Sequence, residues 1–233
     1  MTLPIHHTDI LIIGAGLAGL SAANALQAAG HNVLVVDKGR GLGGRLAGRR
    51  IDNASFDHGA QFMTTRNPKF VEQVSQWIEA GVAEEWYSSF PGQANSHARY
   101  RGVPTMTAIA KHLAVGVSVK LATKVESLKV DNHGWLCQLE NGASIRSRSL
   151  VITSPVPQTL DLLSTGKVKL PKDKQDRLNL ISYESCIAVM AILDQPSVMK
   201  SPGALALDYG PIAWISDNYQ KGVSAIPAVT IHG

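Results

Sequence analysis

The sequence predicts an α/β fold: a βαβ unit joined to a β-meander, followed by a second region built on a sheet. Three observations predict it. Asp9 to Ile13 and Asn32 to Val36 are short, continuous apolar runs, the pattern of parallel strands covered on both faces. Between them, residues 17–29 are rich in Ala and Leu, and Gly30 is placed to end a helix. From Val117 onward the periodicity becomes strand-like and is punctuated by turn residues.

The 233 residues suffice for a sizeable core, in one large or two small domains. Hydrophobic content of 45% with 17% charged residues is a globular composition and excludes a disordered or collagen-like chain. The net charge of +4 is mild, and the basic clusters at Arg45, Arg49, Arg50 and Lys167 to Lys174 are not interleaved with aromatics, so no nucleic acid is expected as a partner. Cys137 and Cys186 match no zinc, CxxC or disulfide spacing and are expected to be reduced core thiols in the cytoplasm. The N-terminus lacks the basic-then-apolar order of a secretory signal. Ile10 to Gly30 is long enough to cross a bilayer. Its glycine spacing is explained by a strand–turn–helix and not by a span, so no membrane association is expected.

Taken in order, the two apolar runs and the helix between them form the βαβ unit. Pro68 to Gly81 places Phe70, Val71, Val74, Trp77 and Ile78 at helical spacing behind Asn67 as N-cap. Residues 83–104 read as irregular, and Thr105 to Leu113 as a short helix. Val117–Val130, Trp135–Leu139 and Ser144–Arg148 form the meander, with Asn141-Gly142 as a type I′ hairpin turn. Leu150–Thr153 is expected back in the parallel sheet, and residues 158–180 are expected to be mainly helical. Cys186–Leu193, Ala204–Leu207, Ile212–Ile215 and Val229–His232 read as strands of the second region. The domain boundaries expected from this are 1–66 with 116–157, and 67–115 with 158–233.

Gly14-Ala15-Gly16-Leu17-Ala18-Gly19 directly follows a strand and opens a helix. The first glycine allows the tight turn, the second lets backbone approach a pyrophosphate, and the third lets helix and strand pack closely, the Rossmann-type dinucleotide-binding pattern. The helix N-terminus offers free N–H donors to the phosphates. Asp37, at the end of the second strand, suits the adenosine ribose hydroxyls and repels a ribose 2′-phosphate. It is followed by Lys38 and then by Gly43-Gly44-Arg45, a second glycine pair and arginine for which a simple NAD domain has no need.

At this point the sequence resembles the flavin-containing amine oxidase superfamily. Asp57-His58-Gly59-Ala60-Gln61-Phe62 narrows the resemblance to its renalase-like members, and Arg101 to Pro104, Leu150 to Pro157, Ile215 to Asn218 and Val229 to His232 continue it. The resemblance implies FAD as the cofactor. Gly43, Gly44 and Arg45 would flank its pyrophosphate, Gly59, Ala60 and Gln61 would pass beneath the ring, and Val125 would meet the adenine. Thr153 and Pro155 lie in a matching segment. It implies no metal and often no general base. The reaction implied is oxidation of a dihydronicotinamide isomer, dihydro-NAD(P) reduced at the wrong ring carbon, to NAD(P)⁺, with dioxygen reduced to hydrogen peroxide. Gln61, Phe62, Asn218 and His232 are the candidates beside flavin and substrate. For His232 a plain strand histidine is an equal reading. The alternatives are an amine oxidase or desaturase, and a nucleotide-binding fragment without turnover. The resemblance also implies a further C-terminal stretch, with a Gly-Asp pair completing the cofactor site. No Gly-Asp dipeptide occurs in residues 1–233, so a longer natural protein is expected.

Overall fold

A computed structural model describes residues 5–88 and 97–233. In chain order the elements are β1 (Ile5–Ile13), α1 (Leu17–Ala28), β2 (Val33–Val36), β3 (Gly48–Ile51), β4 (Ala54–Asp57), β5 (Met63–Thr64) and α2 (Pro68–Glu79). Then come β6 (Ala83–Tyr87), β7 (Arg99–Gly102), α3 (Thr107–Leu113), β8 (Ser118–Lys120), β9 (Val125–Asp131), β10 (Gly134–Leu139) and β11 (Ser144–Ile152). The chain closes with α4 (Val156–Thr165), α5 (Lys172–Asn179), β12 (Ala188–Ile192), β13 (Ala204–Ala206), β14 (Trp214–Asp217) and β15 (Ala228–His232).

The chain divides into two compact units, Met1–Gly44 with Leu113–Glu184 and Arg45–His112 with Ser185–Gly233. These boundaries differ from those expected. Residues 45–66 belong to the second unit, where the β3–β4 hairpin packs on β15, and residues 158–184 belong to the first, where α4 packs on β9.

The first unit is built on a sheet of order β8-β2-β1-β11-β10-β9. The strands β8, β2, β1 and β11 run parallel, and β11, β10 and β9 form the antiparallel meander. Buried Leu11, Leu34, Val36, Leu128, Cys137, Ile145 and Leu163 make one core from both parts of the sheet. Two strands expected at 144–148 and 150–153 are a single strand, because β11 pairs with β1 from Ser144 through Ile152 and with β10 over its first half. Conversely, the run 117–130 is broken. Ala122 takes a positive φ of 48°, and the segment turns to bond the loop after β2, with Ala122 N donating to Gly39 O (2.8 Å) and Thr123 N to Asp37 O (2.8 Å). The β10–β11 turn is not type I′. Only Gly142 has positive φ, and the bonds from Gly142 N to Leu139 O and from Leu139 N to Ala143 O define a three-residue loop.

The second unit carries an antiparallel sheet β12-β15-β14-β13, the β3–β4 hairpin and a three-stranded sheet β5-β7-β6. Strands β6 and β7 correct the irregular reading of residues 83–104, of which 89–96 lie outside the described residues. Ala83 and Tyr87 point inward while Glu84 and Glu85 stay exposed, an alternation too short to stand out. Helix α2 forms as its pattern requires: Asn67 accepts from Lys69 N at 3.0 Å, Pro68 opens the helix, and Val74 and Trp77 are buried. Cys137 is buried as expected, but Cys186 is exposed because it precedes β12 and stays outside the core.

Candidate functional site

The glycine-rich turn of the first unit links two sequence motifs into one object. Gly43 N donates to Ala15 O at 2.9 Å, Gly16 and Gly43 form a parallel bridge, and Asp37 binds the same turn through Oδ2, which accepts from Ala15 N at 2.6 Å. Oδ1 of Asp37 accepts from Gly39 N at 2.6 Å. Thr153, just past β11, donates through Oγ1 to Ile13 O (3.0 Å) and Gly14 O (3.3 Å). Pro155 caps α4, Val125 opens β9 inside the core, and the exposed Lys38 reaches Gln158.

The three glycines of the turn have different reasons to be glycine. Gly14 sits at φ +114°, and a Cβ there would also collide with Thr153 Oγ1. A Cβ on Gly19 would run into the carbonyl oxygen of Gly14. Gly16 has neither constraint. Its backbone is extended (φ −84°, ψ −176°), and a Cβ would meet only Gly43 O at an ordinary 3.7 Å. Nothing within the chain demands glycine at 16; what a Cβ would fill is the approach to the first turn of α1. That turn has no side-chain cap and no acidic residue. Its first N–H groups therefore face outward as donors, with the positive end of the helix dipole behind them. The arrangement fits the pyrophosphate and ribose of a dinucleotide.

In the second unit the segment Asp57 to Phe62 is held by a buried polar network. Lys221 is 1% exposed and Asp57 0%, and they pair at 2.9 Å. Lys221 Nζ also donates to Gln61 O (2.6 Å) and Gln61 Oε1 (3.4 Å), and lies 4.8 Å from the centre of the Trp86 ring. Desolvation, opposed by Asp57, lowers the Lys221 pKa from its ordinary value. Asp217 delivers this lysine. It accepts from Tyr219 N and Gln220 N and organises the turn after β14, while Gly222, at φ +74°, lies against the Arg101 guanidinium.

Two candidates from the sequence do not present side chains to a ligand. The Gln61 amide is saturated: Nε2 donates to Asp57 O and Gly59 O, and Oε1 accepts from Ser216 Oγ and Lys221. Asn218 is 0% exposed, accepting from Asp57 N (3.3 Å) and donating to Thr230 Oγ1 (2.9 Å). Both support the segment from within. Phe62 and His232 keep open surface. Phe62 packs on Trp214 at 5.3 Å between centroids, Trp214 meets Trp86 at 6.3 Å, and the Arg99 guanidinium lies over Phe62 (5.4 Å) and Tyr87 (4.9 Å). His232 Nε2 is 3.1 Å from His58 O. His58 has a lowered pKa, chiefly from burial and then from Arg49, with Asp57 opposing. Gly59 is small for a reason internal to this unit, since a Cβ would strike Arg45 O, which also accepts from Ala60 N. Lys221, Ser216, Trp86, Trp214 and Arg99 were not singled out from the sequence; the turn residues Asp217-Asn218 just before Lys221 are the one local signal. Among the described residues no three His, Cys, Asp or Glu gather to hold a metal, and no helix is long and apolar enough to cross a membrane.

Residues 12–77 match the NAD(P)-binding Rossmann-like domain, and residues 94–216, more than half the chain, match the flavin containing amine oxidoreductase family. The chain belongs to this family. The cofactor of this family is FAD, which the glycine turn fits. Renalase of Mus musculus is 23% identical over 194 residues, covering 77% of this chain and 56% of the relative. Putrescine oxidase of Kocuria rosea is 34% identical over 68 residues, 29% of this chain and 14% of the relative. A solved putrescine oxidase variant superposes with a TM-score of 0.77 at 15% identity, covering 98% of this chain and 76% of that one, which shows the shared fold. The chain thus spans about half the length of the renalase it matches.

Proposed function

We propose that the protein is a renalase-like oxidase that takes a hydride from a dihydronicotinamide isomer of NAD(P), yielding NAD(P)⁺ and, from dioxygen, hydrogen peroxide. The observation that carries this reading is the ring cluster of the second unit. Phe62, Trp214 and Trp86 offer flat apolar faces, and the Arg99 guanidinium lies over the Phe62 ring. A protonated amine would meet like charge there, whereas a planar dihydropyridine carrying phosphates would meet ring faces and opposite charge. Bound FAD would supply the two-electron acceptor. The first turn of α1, including Gly16, Leu17 and Ala18, would hold the pyrophosphate with its N–H groups, and Gly43 and Gly44 would let the backbone come close. Asp37 would accept from the ribose hydroxyls, with Lys38, Val125, Thr153 and Pro155 around the adenosine end. Arg45, Gly59 and Ala60 keep the roles the family pattern implies. Phe62 and His232 would meet the substrate ring. The reducing cytoplasm suits its two free thiols.

The test is peroxide formation by the FAD-loaded protein with each reduced pyridine isomer and with simple amines such as putrescine. Turnover of isomers reduced at the wrong ring carbon, without turnover of amines, is expected. Turnover of amines alone would replace the proposal with an amine oxidase, the reading that the similarity to putrescine oxidase favours.

A further inference from the structure

We infer that Lys221 is a positioning residue for the substrate face: its ammonium clamps the two ends of the segment 57–61 together, and so sets where Phe62 and His232 stand. This rests on the proposed role of Phe62 and His232 at the substrate.

The geometry is specific. All three ammonium hydrogens have acceptors, Asp57 Oδ2 at one end of the segment and Gln61 O and Oε1 at the other. The second carboxylate oxygen, Asp57 Oδ1, accepts from Met106 N at 3.0 Å, and the Gln61 amide is completed by Ser216 and by carbonyls of the segment itself. The part between the tethers carries His58, whose carbonyl bonds His232, and Gly59-Ala60, which rests on Arg45 O. Phe62 follows directly, against Trp214.

Stability alone does not account for an ionised lysine here. Desolvating an ion pair costs as much as it returns, and an apolar pair of similar volume commonly does as well or better. What the pair provides that methionine cannot is direction, because three donors on one atom fix a carboxylate, a backbone carbonyl and an amide orientation at once.

The experiment compares Lys221→Met with the double variant Lys221→Met/Asp57→Asn, both in the FAD-loaded protein. The single variant leaves Asp57 buried without its partner and loses stability. The double variant removes both charges and regains most of it. In the double variant kcat/KM for the dihydropyridine falls about 100-fold, the scale of an ångström-size misplacement. The ring nitrogen resonances of His232 also shift, as its bond to the His58 carbonyl is lost. Wild-type His232 resonances in a stable double variant would overturn the inference. So would unchanged resonances in a folded single variant. The resonance readout needs no substrate, so a wrong substrate assignment does not disguise itself as a wrong role for Lys221.

Discussion

Replacing Gly16 with Ala separates what the glycine-rich turn does for the fold from what it does for the cofactor. The backbone at 16 is extended and the new Cβ would lie 3.7 Å from Gly43 O, so the substitution fits without strain. Gly→Ala at a compatible site adds about 0.4–1 kcal/mol of stability through the unfolded chain. The same methyl blocks the backbone's approach to a pyrophosphate. If two N–H donors lose a charged acceptor, each is worth about 1.5–3 kcal/mol. Together they weaken FAD binding by about 10²- to 10⁴-fold. Gly19→Ala is the opposite control. The methyl gains about 1 kcal/mol of helix propensity, but it meets the Gly14 carbonyl, which is backbone and cannot rotate away. Overpacking of this kind costs about 1–3 kcal/mol. The assay is FAD content per folded protein with urea midpoints alongside. Gly16→Ala should be folded and flavin-poor, and Gly19→Ala should unfold at lower urea. A Gly16→Ala protein that purifies with wild-type flavin content would refute the placement of the pyrophosphate.

Asp37→Ala removes the acceptor of both Ala15 N and Gly39 N and should cost about 2–3 kcal/mol in urea unfolding. It should weaken FAD binding too, and an unchanged midpoint would show the carboxylate is not structural. A thiol reagent should titrate one cysteine rapidly in the native protein, the exposed Cys186, and reach Cys137 only on unfolding, since burial pushes the Cys137 thiol up to about 12. Two fast equivalents would contradict the first unit's core. His58 is held below its ordinary 6.5 in the folded state, so the unfolded chain binds the proton first as pH falls through 6.5. Stability should therefore decline below that pH until folded His58 titrates as well, and His58→Gln should flatten the slope; equal slopes would show that His58 is not responsible.

The cofactor turn was legible because its chemistry is local. Gly14, Gly16, Gly19, Asp37 and Gly43-Gly44 lie within a short stretch, and at all but Gly16 the chain's own backbone requires the residue type that the spacing displays. The network below Phe62 was not legible, since Lys221 and Asp57 are 164 residues apart and a lysine in a turn reads as solvent-exposed. A similar distance hid the true status of Gln61 and Asn218, whose amides looked available until Ser216 and Lys221 were brought to the one and Asp57 N to the other. The β3–β4 hairpin escaped because Arg49 and Arg50 break its apolar pattern, although Ala54 and Phe56 are fully buried. Ser149 misled in the other direction: an exposed serine between the two expected strands made one strand look like two, although it pairs with Ile10 inside β11.

The pairing of β11 with β1 also constrains the order in which the protein can be made. Thr153, which braces the glycine turn, bonds Ile13 across 140 residues of chain. While the polypeptide is being synthesised, β1 and α1 leave the ribosome first, yet their central sheet neighbour is absent until residue 152 has followed. Closing so long a loop before any reward slows folding. During that interval the apolar edge of β1 is exposed to other chains. The two phosphate-facing motifs can touch early, through Gly43 and Ala15, but the brace behind them arrives last. The glycine turn is therefore fully braced only once residue 153 has been made.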